Sequence, residues 1–225
     1  MYEWIESELR LNRQAVRVEA SGAVFLVHYW GVNACHYSNS LHKHSFFEIC
    51  YVLNGEGTYL DDGTLYPLGK GTLFCSRPDI PHQIRSDSGL QLLFVAFEPD
   101  EHESNAAARS AFQALAAAKD ICLYNGDDLP PALLWRSLLS PADQRPGLPE
   151  AAVPALAGAL LLSFASLFGG EAAAEPVSRH RSAALLLKQA KLYIRDNLAD
   201  SDLSLGKVVR ASPCIAPPFI PAFFL

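Results

Sequence analysis

The sequence predicts an α+β protein in which a barrel of short antiparallel strands comes first and helices follow. Residues 46–97 consist of short strand-like runs separated by turn residues. After Pro99 the pattern changes to alanine-rich stretches with helical spacing. Many short strands at this spacing are typical of a sandwich or small barrel, and a jelly roll is the natural closure. We therefore expect the even-numbered strand residues to face the mouth of a barrel.

Two short strands are predicted ahead of the barrel, over residues 16–18 and 24–30, with Ser21-Gly22 between them. The first 14 residues form either an arm or a short helix. Turns that tolerate positive φ or contain proline are predicted at Asn54-Gly55, at residues 61–63 and at residues 67–71. The remaining strands are predicted over residues 47–53, 58–60, 72–75, 82–85 and 90–97.

Helices are predicted over residues 106–119 and 133–139, and a proline-containing linker over residues 140–150. Residues 151–170 carry no charge and are long enough to span a bilayer. They contain proline and glycine and lack a basic anchor, so we expect a buried helix and no membrane contact. Its apolar stripe, at Leu156, Leu160, Phe164 and Leu167, predicts either a dimer seam or a core-facing side.

The charge distribution separates the front of the chain from its rear. The formal net charge of −6 argues against a protein that binds nucleic acid over its whole surface. Residues 1–100 hold 7 Lys and Arg against 12 Asp and Glu, whereas residues 178–210 hold 7 against 3. An acidic front and a basic rear are typical of a sensor joined to a nucleic-acid-binding module, although a solvated helix face gives the same count.

Cysteine usage and the N-terminus indicate a cytoplasmic protein. The 5 cysteines are odd in number and scattered along the chain, which favours free thiols over a disulfide framework or a zinc knuckle. The first residues, Met1 to Glu6, lack the basic start and the apolar run of a signal peptide.

The candidate functional site lies between His42 and His82. His42, His44 and Glu48 share even parity, so a β-strand here would place all three side chains on one face. His82 could join them from a neighbouring strand. Three imidazoles and one carboxylate are a ligand set suited to a divalent first-row transition metal.

Two motifs in this stretch resemble those of the cupins. His-x-His-x3-Glu-x6-Gly, which ends at Gly55, resembles the first cupin motif, and Gly71-x6-Pro78-x2-Pro81-His82 resembles the second. Residues 46–57 are similar to the effector-sensing N-terminal domain of AraC-type bacterial transcriptional regulators. The chain departs from the cupin pattern at His36, where the first motif carries glycine, and at Asp79-Ile80, which replace a glycine of the second. These departures weaken a claim to metal chemistry more than a claim to the fold.

The resemblance implies a cupin-like effector-binding domain over residues 1–100 and a helical dimerisation or linker segment over residues 101–177. It implies a homodimer that senses a small effector, such as a sugar. A divalent transition metal is the one cofactor that the ligand set suggests, with His42, His44, Glu48 and His82 as its candidate ligands. The predicted effector-binding residues are His42, His44, Phe46, Glu48, Cys50, Tyr59 and His82.

Residues 178–210 resemble the start of an AraC-type helix-turn-helix module. A helix is predicted over residues 182–197, and Ser204 is a suitable N-cap for the next one. Residues 211–225 contain 4 prolines and no basic side chain, and proline excludes a recognition helix there. We therefore expect a truncated or frame-shifted family member, with a non-family tail, no recognition helix and impaired DNA binding.

Three functions fit the sequence. The preferred one is a ligand-responsive transcriptional regulator that is not an enzyme. A small cupin metalloenzyme, such as a dioxygenase or isomerase, is the alternative, because open positions on a metal permit oxygen or substrate activation. The third is a dimerisation module that pairs with full-length relatives.

Overall fold

The computed structural model describes residues 2–141, 147–169, 190–191, 194, 197–198 and 201–211. The chain divides into two compact units, Met1–Ala172 and Ala173–Leu225. The described elements of the first unit are α1 (Trp4–Gln14), β1 (Arg17–Ala20), β2 (Ala23–His36), β3 (Phe47–Asn54), β4 (Gly57–Asp61), β5 (Thr64–Leu68), β6 (Leu73–Ser76), β7 (His82–Arg85), β8 (Leu90–Pro99), α2 (Ala106–Ala116), β9 (Cys122–Leu123), α3 (Pro130–Ser137) and α4 (Val153–Phe168), and the second unit contains α5 (Leu205–Ala211).

Two antiparallel sheets form the barrel. The larger sheet has the strand order β1-β2-β8-β3-β6-β9, and the smaller has the order β5-β4-β7. Their inner faces meet at Tyr59 of β4 and Phe74 of β6, whose ring centroids lie 4.6 Å apart. The Tyr59 hydroxyl also donates to Ser76 Oγ at 2.8 Å. The predicted α+β class, with a cupin-like antiparallel barrel followed by helices, is confirmed.

The hairpin turns follow the predicted chemistry. Asp62 and Gly63, between β4 and β5, both have positive φ, of 45° and 82°, which is the backbone that a two-residue hairpin requires. Sequence analysis had assigned Pro67 to a turn, but Pro67 lies in β5. Because β5 is an edge strand, the missing proline N–H leaves no interior pairing unsatisfied.

Helices cover the outer face of the large sheet. Phe112 of α2 packs against Phe25 of β2, at 5.2 Å between ring centroids, and Phe164 of α4 packs against Phe97 of β8, at 6.3 Å. Both faces of β3 are therefore buried, and the strand has a nearly continuous run of buried residues instead of an alternation.

The expectation that even-numbered strand residues face the barrel is wrong for β4. The buried, inward-facing residues of β4 are Tyr59 and Asp61. Parity holds along one strand, but each turn resets which residues of the next strand point inward.

Helix α4 is a core helix. Leu160 and Phe164 are fully buried, so these members of the predicted stripe face the interior of their own chain and not a dimer seam. A Cβ at Gly158 would lie 2.7 Å from the Ala20 Cβ, which shows how closely α4 approaches β1. Residues Glu150–Phe168 are long and apolar enough to cross a membrane by length and composition alone. The packing of α4 against β1, α2 and α3 accounts for this composition without a membrane.

The second unit is described in part. Ala190, Lys191 and Ile194 have helical backbone, within the helix predicted over residues 182–197. Helix α5 begins after Ser204, as predicted, and the Ser204 carbonyl accepts bonds from the N–H groups of Lys207 (3.0 Å) and Val208 (3.1 Å). The expectations for residues 212–225, and for residues 142–146 of the linker, concern parts of the chain that lie outside the described residues.

Replacing Phe164 with alanine tests the role of α4. Phe164→Ala removes a fully buried ring, so we expect the free energy of unfolding to fall by about 3–5 kcal/mol in urea titrations. Ser166→Ala, at an exposed position of the same helix, is the control and should change it by no more than about 0.5 kcal/mol. Equal effects of the two substitutions would contradict a core role for α4.

Candidate functional site

Backbone pairing between two histidines assembles the site. His42 N–H donates to the His82 carbonyl at 3.1 Å, and His82 N–H donates to the His42 carbonyl at 2.8 Å. The Asp79 N–H donates to the His44 carbonyl at 2.7 Å. Sequence parity had placed His42, His44 and Glu48 on one strand, which is wrong because β3 begins at Phe47. The residues converge because the irregular segment before β3 pairs with the start of β7.

The three imidazoles meet at one point. One ring nitrogen from each of His42, His44 and His82 lies within 4.8 Å of those of the other two. We call the cluster formed by His42, His44, Glu48 and His82 the histidine cup. Each Nδ1 atom contacts a backbone carbonyl: that of Ser40 for His42 (2.9 Å), of Phe46 for His44 (2.7 Å) and of Ile80 for His82 (2.8 Å).

These carbonyl contacts determine the tautomers. A carbonyl oxygen only accepts hydrogen bonds, so each Nδ1 carries the proton and each neutral ring presents an Nε2 lone pair. The Nε2 atoms of His44 and His82 are buried and have no hydrogen-bond partner among the described residues. A carbonyl that orients a histidine through Nδ1 while Nε2 stays available is the usual arrangement at a metal ligand. The donor set therefore fits a divalent transition metal.

Glu48 supplies the carboxylate of the cup. Its Oε2 lies 3.9 Å from His44 Nε2, and its Oε1 accepts a hydrogen bond from the Tyr29 hydroxyl at 2.9 Å. An irregularity in the pairing of β2 with β8, between Val27 and Tyr29, places Tyr29 where it reaches Glu48. Burial alone would raise the pKa of the Glu48 carboxyl. Protonated His44, the Tyr29 hydroxyl and protonated His82 outweigh burial and lower that pKa from its ordinary value. Burial and the nearby carboxylate raise the pKa of Tyr29, which keeps its hydroxyl protonated.

His36 is a half-buried neighbour of the site that sequence analysis missed. Its Nε2 is buried without a hydrogen-bond partner in the described part of the chain, and its Nδ1 lies 3.3 Å from Asn33 Nδ2. Burial lowers the pKa of His36, and the charge of Glu48 offsets part of that effect. The available signal was a histidine at a motif position that otherwise carries glycine, which sequence analysis treated only as a departure.

The other predicted residues lie around the cup in different roles. The Phe46 ring stacks on His44, with centroids 4.1 Å apart and planes 4° apart. The ring centroids of Tyr59 and His82 lie 6.1 Å apart, and the Tyr59 hydroxyl donates a hydrogen bond to Ser76 Oγ. Cys50 is buried in the hydrophobic core, where burial raises the pKa of its thiol well above the ordinary value. It is therefore a neutral, apolar side chain and not a thiolate.

Comparison with known proteins identifies the family. Residues 23–189 match the family model described as the AraC-like ligand binding domain. The chain belongs to the AraC-like ligand binding domain family. A curated relative from Bacillus subtilis (strain 168), named "Uncharacterized HTH-type transcriptional regulator YfiF", is 39% identical over 200 residues. The match covers 87% of this chain and 63% of the relative, so the chain spans less than two thirds of the relative's length.

Solved structures with similar folds include cupins. An RmlC-like cupin from Shewanella frigidimarina NCIMB 400 is 19% identical, with a TM-score of 0.29 over 40% of this chain and 89% of that protein. Protein NMB1881 from Neisseria meningitidis is 16% identical, with a TM-score of 0.28 over 36% of this chain and 80% of that chain. Assignment of the AraC-like domain rests on the family match and not on these structures.

The lowered pKa values of two histidines predict how stability depends on pH. Burial lowers the pKa of His36 and of His82 from the ordinary 6.5. Below pH 6.5 the unfolded chain therefore binds protons that the folded, metal-free protein does not, so the free energy of unfolding falls as the pH drops. Above the ordinary pKa this contribution to stability is fully present. Urea titrations between pH 7.5 and pH 5 measure the decrease.

Substituting His36 isolates its share of this dependence. His36→Gln should make the decrease in unfolding free energy smaller, because one buried group with a lowered pKa is gone. His102→Gln, at an exposed position, should keep the wild-type profile. A His36→Gln profile identical to that of the wild type would show that His36 titrates alike in the folded and unfolded states.

Proposed function

We propose that the chain is the effector-sensing part of an AraC-type transcriptional regulator and binds its effector in the histidine cup. The observation that carries the proposal is the convergence of three ring nitrogens within 4.8 Å. Phe46 stacks on His44, and the ring centroids of Tyr59 and His82 lie 6.1 Å apart. We assign both residues, together with Cys50 of the core, to the effector site. The family match supports a ligand-binding role for this domain.

The chemistry of the cup restricts what it binds. Three Nε2 lone pairs and the Glu48 carboxylate are all acceptors, so the cup suits a ligand that offers positive charge or several donors. A divalent transition metal would be held by the three ring nitrogens of His42, His44 and His82. Glu48, whose Oε2 lies 3.9 Å from His44 Nε2, is the fourth candidate ligand. When bound, such a metal supplies a Lewis acid to which an oxygen-bearing effector can attach.

Regulation requires that the effector bind one conformation of the intact regulator better than another. The curated relative is named a helix-turn-helix regulator, and the basic residues 178–210 are the segment of this chain that we assign to DNA contact. We propose that the protein acts in the cytoplasm, as a homodimer, and without catalysis of its own. The metalloenzyme stays the alternative, because the same four ligands could hold a catalytic metal.

Metal binding tests the cup directly. We expect Co²⁺, Ni²⁺ or Zn²⁺ to raise the thermal unfolding temperature of protein stripped with chelator, because these ions bind the native state. His44→Ala and His42→Ala should each lower the metal affinity by about a hundredfold or more in calorimetric titrations. His102→Ala, which alters an exposed histidine outside the cup, is the control.

Two outcomes of that experiment would contradict the proposal. Unchanged affinity in both cup variants would place the metal elsewhere. Turnover of a substrate by the metal-loaded protein, lost in His44→Ala, would favour the metalloenzyme. A thermal-shift screen of sugars and other polyols, with and without metal, then identifies the effector class, because ligands of the native state raise the unfolding temperature.

DNA binding is tested separately. The proline-rich residues 211–225 carry no basic side chain, so we expect the 225-residue chain to bind promoter DNA weakly and with little sequence preference. Gel-shift titrations against the regulator's own promoter and a scrambled duplex measure the difference. Tight binding to the promoter alone would overturn the expectation of impaired DNA binding and leave the sensing proposal intact.

A further inference from the structure

A cavity that is not lined by the histidines of the cup lies beside Phe46. It has a volume of about 310 Å³ and lies between α2, the end of β8 and the segment before β3. This size is within the range of small-molecule sites. We call it the α2 cavity; its lining includes Phe46, Phe47, Pro78, Phe112 and Ala116 as apolar groups, and Glu98, Glu101, Arg109 and Gln113 as polar groups.

The polar groups of the α2 cavity leave a net negative charge. One nitrogen of the Arg109 guanidinium, Nη1, donates to the carbonyls of Ser104 and Glu101. Arg109 contributes one positive charge to the lining, against the two carboxylates of Glu98 and Glu101. Glu98 lies 3.7 Å from His28, with 43% of its side chain exposed, and retains lone pairs for a ligand. Glu101 adds a second carboxylate at the exposed rim.

The combination of apolar lining and unneutralised carboxylates selects a class of ligand. An apolar body would contact the rings of Phe46 and Phe112, and an ammonium group would meet Glu98 and Glu101. Charge-assisted hydrogen bonds to carboxylates and cation–π contacts both favour a cation in such a place. A carboxylate ligand would meet the two acidic residues, whose charges outnumber the single positive charge of Arg109.

We propose that the α2 cavity is a second ligand site, which takes small organic amines with an apolar body. It is separate from the histidine cup, but it shares Phe46 with the cup. The Phe46 ring lines the α2 cavity and stacks on His44 at 4.1 Å, and the Phe46 carbonyl accepts the His44 Nδ1 hydrogen bond. An amine that contacts Phe46 therefore alters the surroundings of His44.

The charge preference is tested with three probes of similar shape. Phenethylamine, 2-phenylethanol and phenylacetate differ in charge and share an aromatic ring. In calorimetric titrations of the metal-free, full-length chain we expect phenethylamine to bind about tenfold or more tighter than the alcohol, with phenylacetate weakest. Equal or tighter binding of phenylacetate, or no detectable binding of phenethylamine, would overturn the proposal.

The location is tested with substitutions on α2 and at the rim. Ala116→Trp places a large ring in the α2 cavity and should abolish phenethylamine binding. Ala114→Trp, at an exposed position of the same helix that does not line the cavity, should leave binding unchanged. Glu98→Gln should weaken binding about tenfold by removing a charge-assisted bond. Unchanged binding in Ala116→Trp would exclude the α2 cavity as the site.

The contact through Phe46 has its own readout. In protein labelled with ¹³C-histidine, we expect the His44 ring signals to shift along the same saturation curve as amine binding, while the His102 signals stay fixed. Phe46→Leu should remove the His44 shift by deleting the stacked ring. His44 signals that do not move at saturating amine would refute the link. The measurement needs no metal, so its outcome is independent of metal binding in the histidine cup.

Discussion

Two backbone hydrogen bonds exchanged between His42 and His82 attach the irregular segment before β3 to the first residue of β7. The histidine cup depends on this pairing, because it brings side chains from distant parts of the chain to one place. Without it His42 and His44 would lie in a connection between β2 and β3 of the large sheet that is not attached to β7 at this point. The hydrogen bond from the Asp79 N–H to the His44 carbonyl is a further attachment of this segment. Asp79 makes it with a positive φ of 62°.

The cup contains buried imidazole nitrogens that have no hydrogen-bond partner among the described residues. Buried polar atoms without hydrogen-bond partners cost about 1–3 kcal/mol each, and the Nε2 atoms of His44 and His82 are in this state among the described residues. The fold therefore holds acceptors in a desolvated position where a cation or a multi-donor ligand would satisfy them. Tyr29 and the three carbonyl partners keep these acceptors oriented, which lowers the conformational cost of binding.

Packing on the outer face of the large sheet connects the cup to the helices. Phe47 begins β3 and packs against Phe97 and Phe112, while the adjacent Phe46 turns toward His44. Two neighbouring aromatic residues thus serve the two sides of the sheet, one in the core under α2 and one beside the cup. Because Phe47 contacts α2 and the next residue, Phe46, contacts His44, α2 and His44 are linked through two consecutive residues of one compact unit.

The sequence by itself determined the class of fold, the turn between β4 and β5, and which residues were candidates for the cup. The turn at Asp62-Gly63 and the short strands can be recognised in the sequence, because turn chemistry and hydrophobic patterning are local properties. The site was recognised from the spacing of its four residues, His42, His44, Glu48 and His82. The argument from strand parity does not apply, because His42 and His44 lie outside β3. Only the tertiary structure decided that His42 pairs with His82, that the Nε2 of half-buried His36 is enclosed, and that Leu160 and Phe164 of α4 face the core. These features depend on strand register, on irregularities in β2 and on which face a helix buries, all of which arise from contacts between residues far apart in the chain.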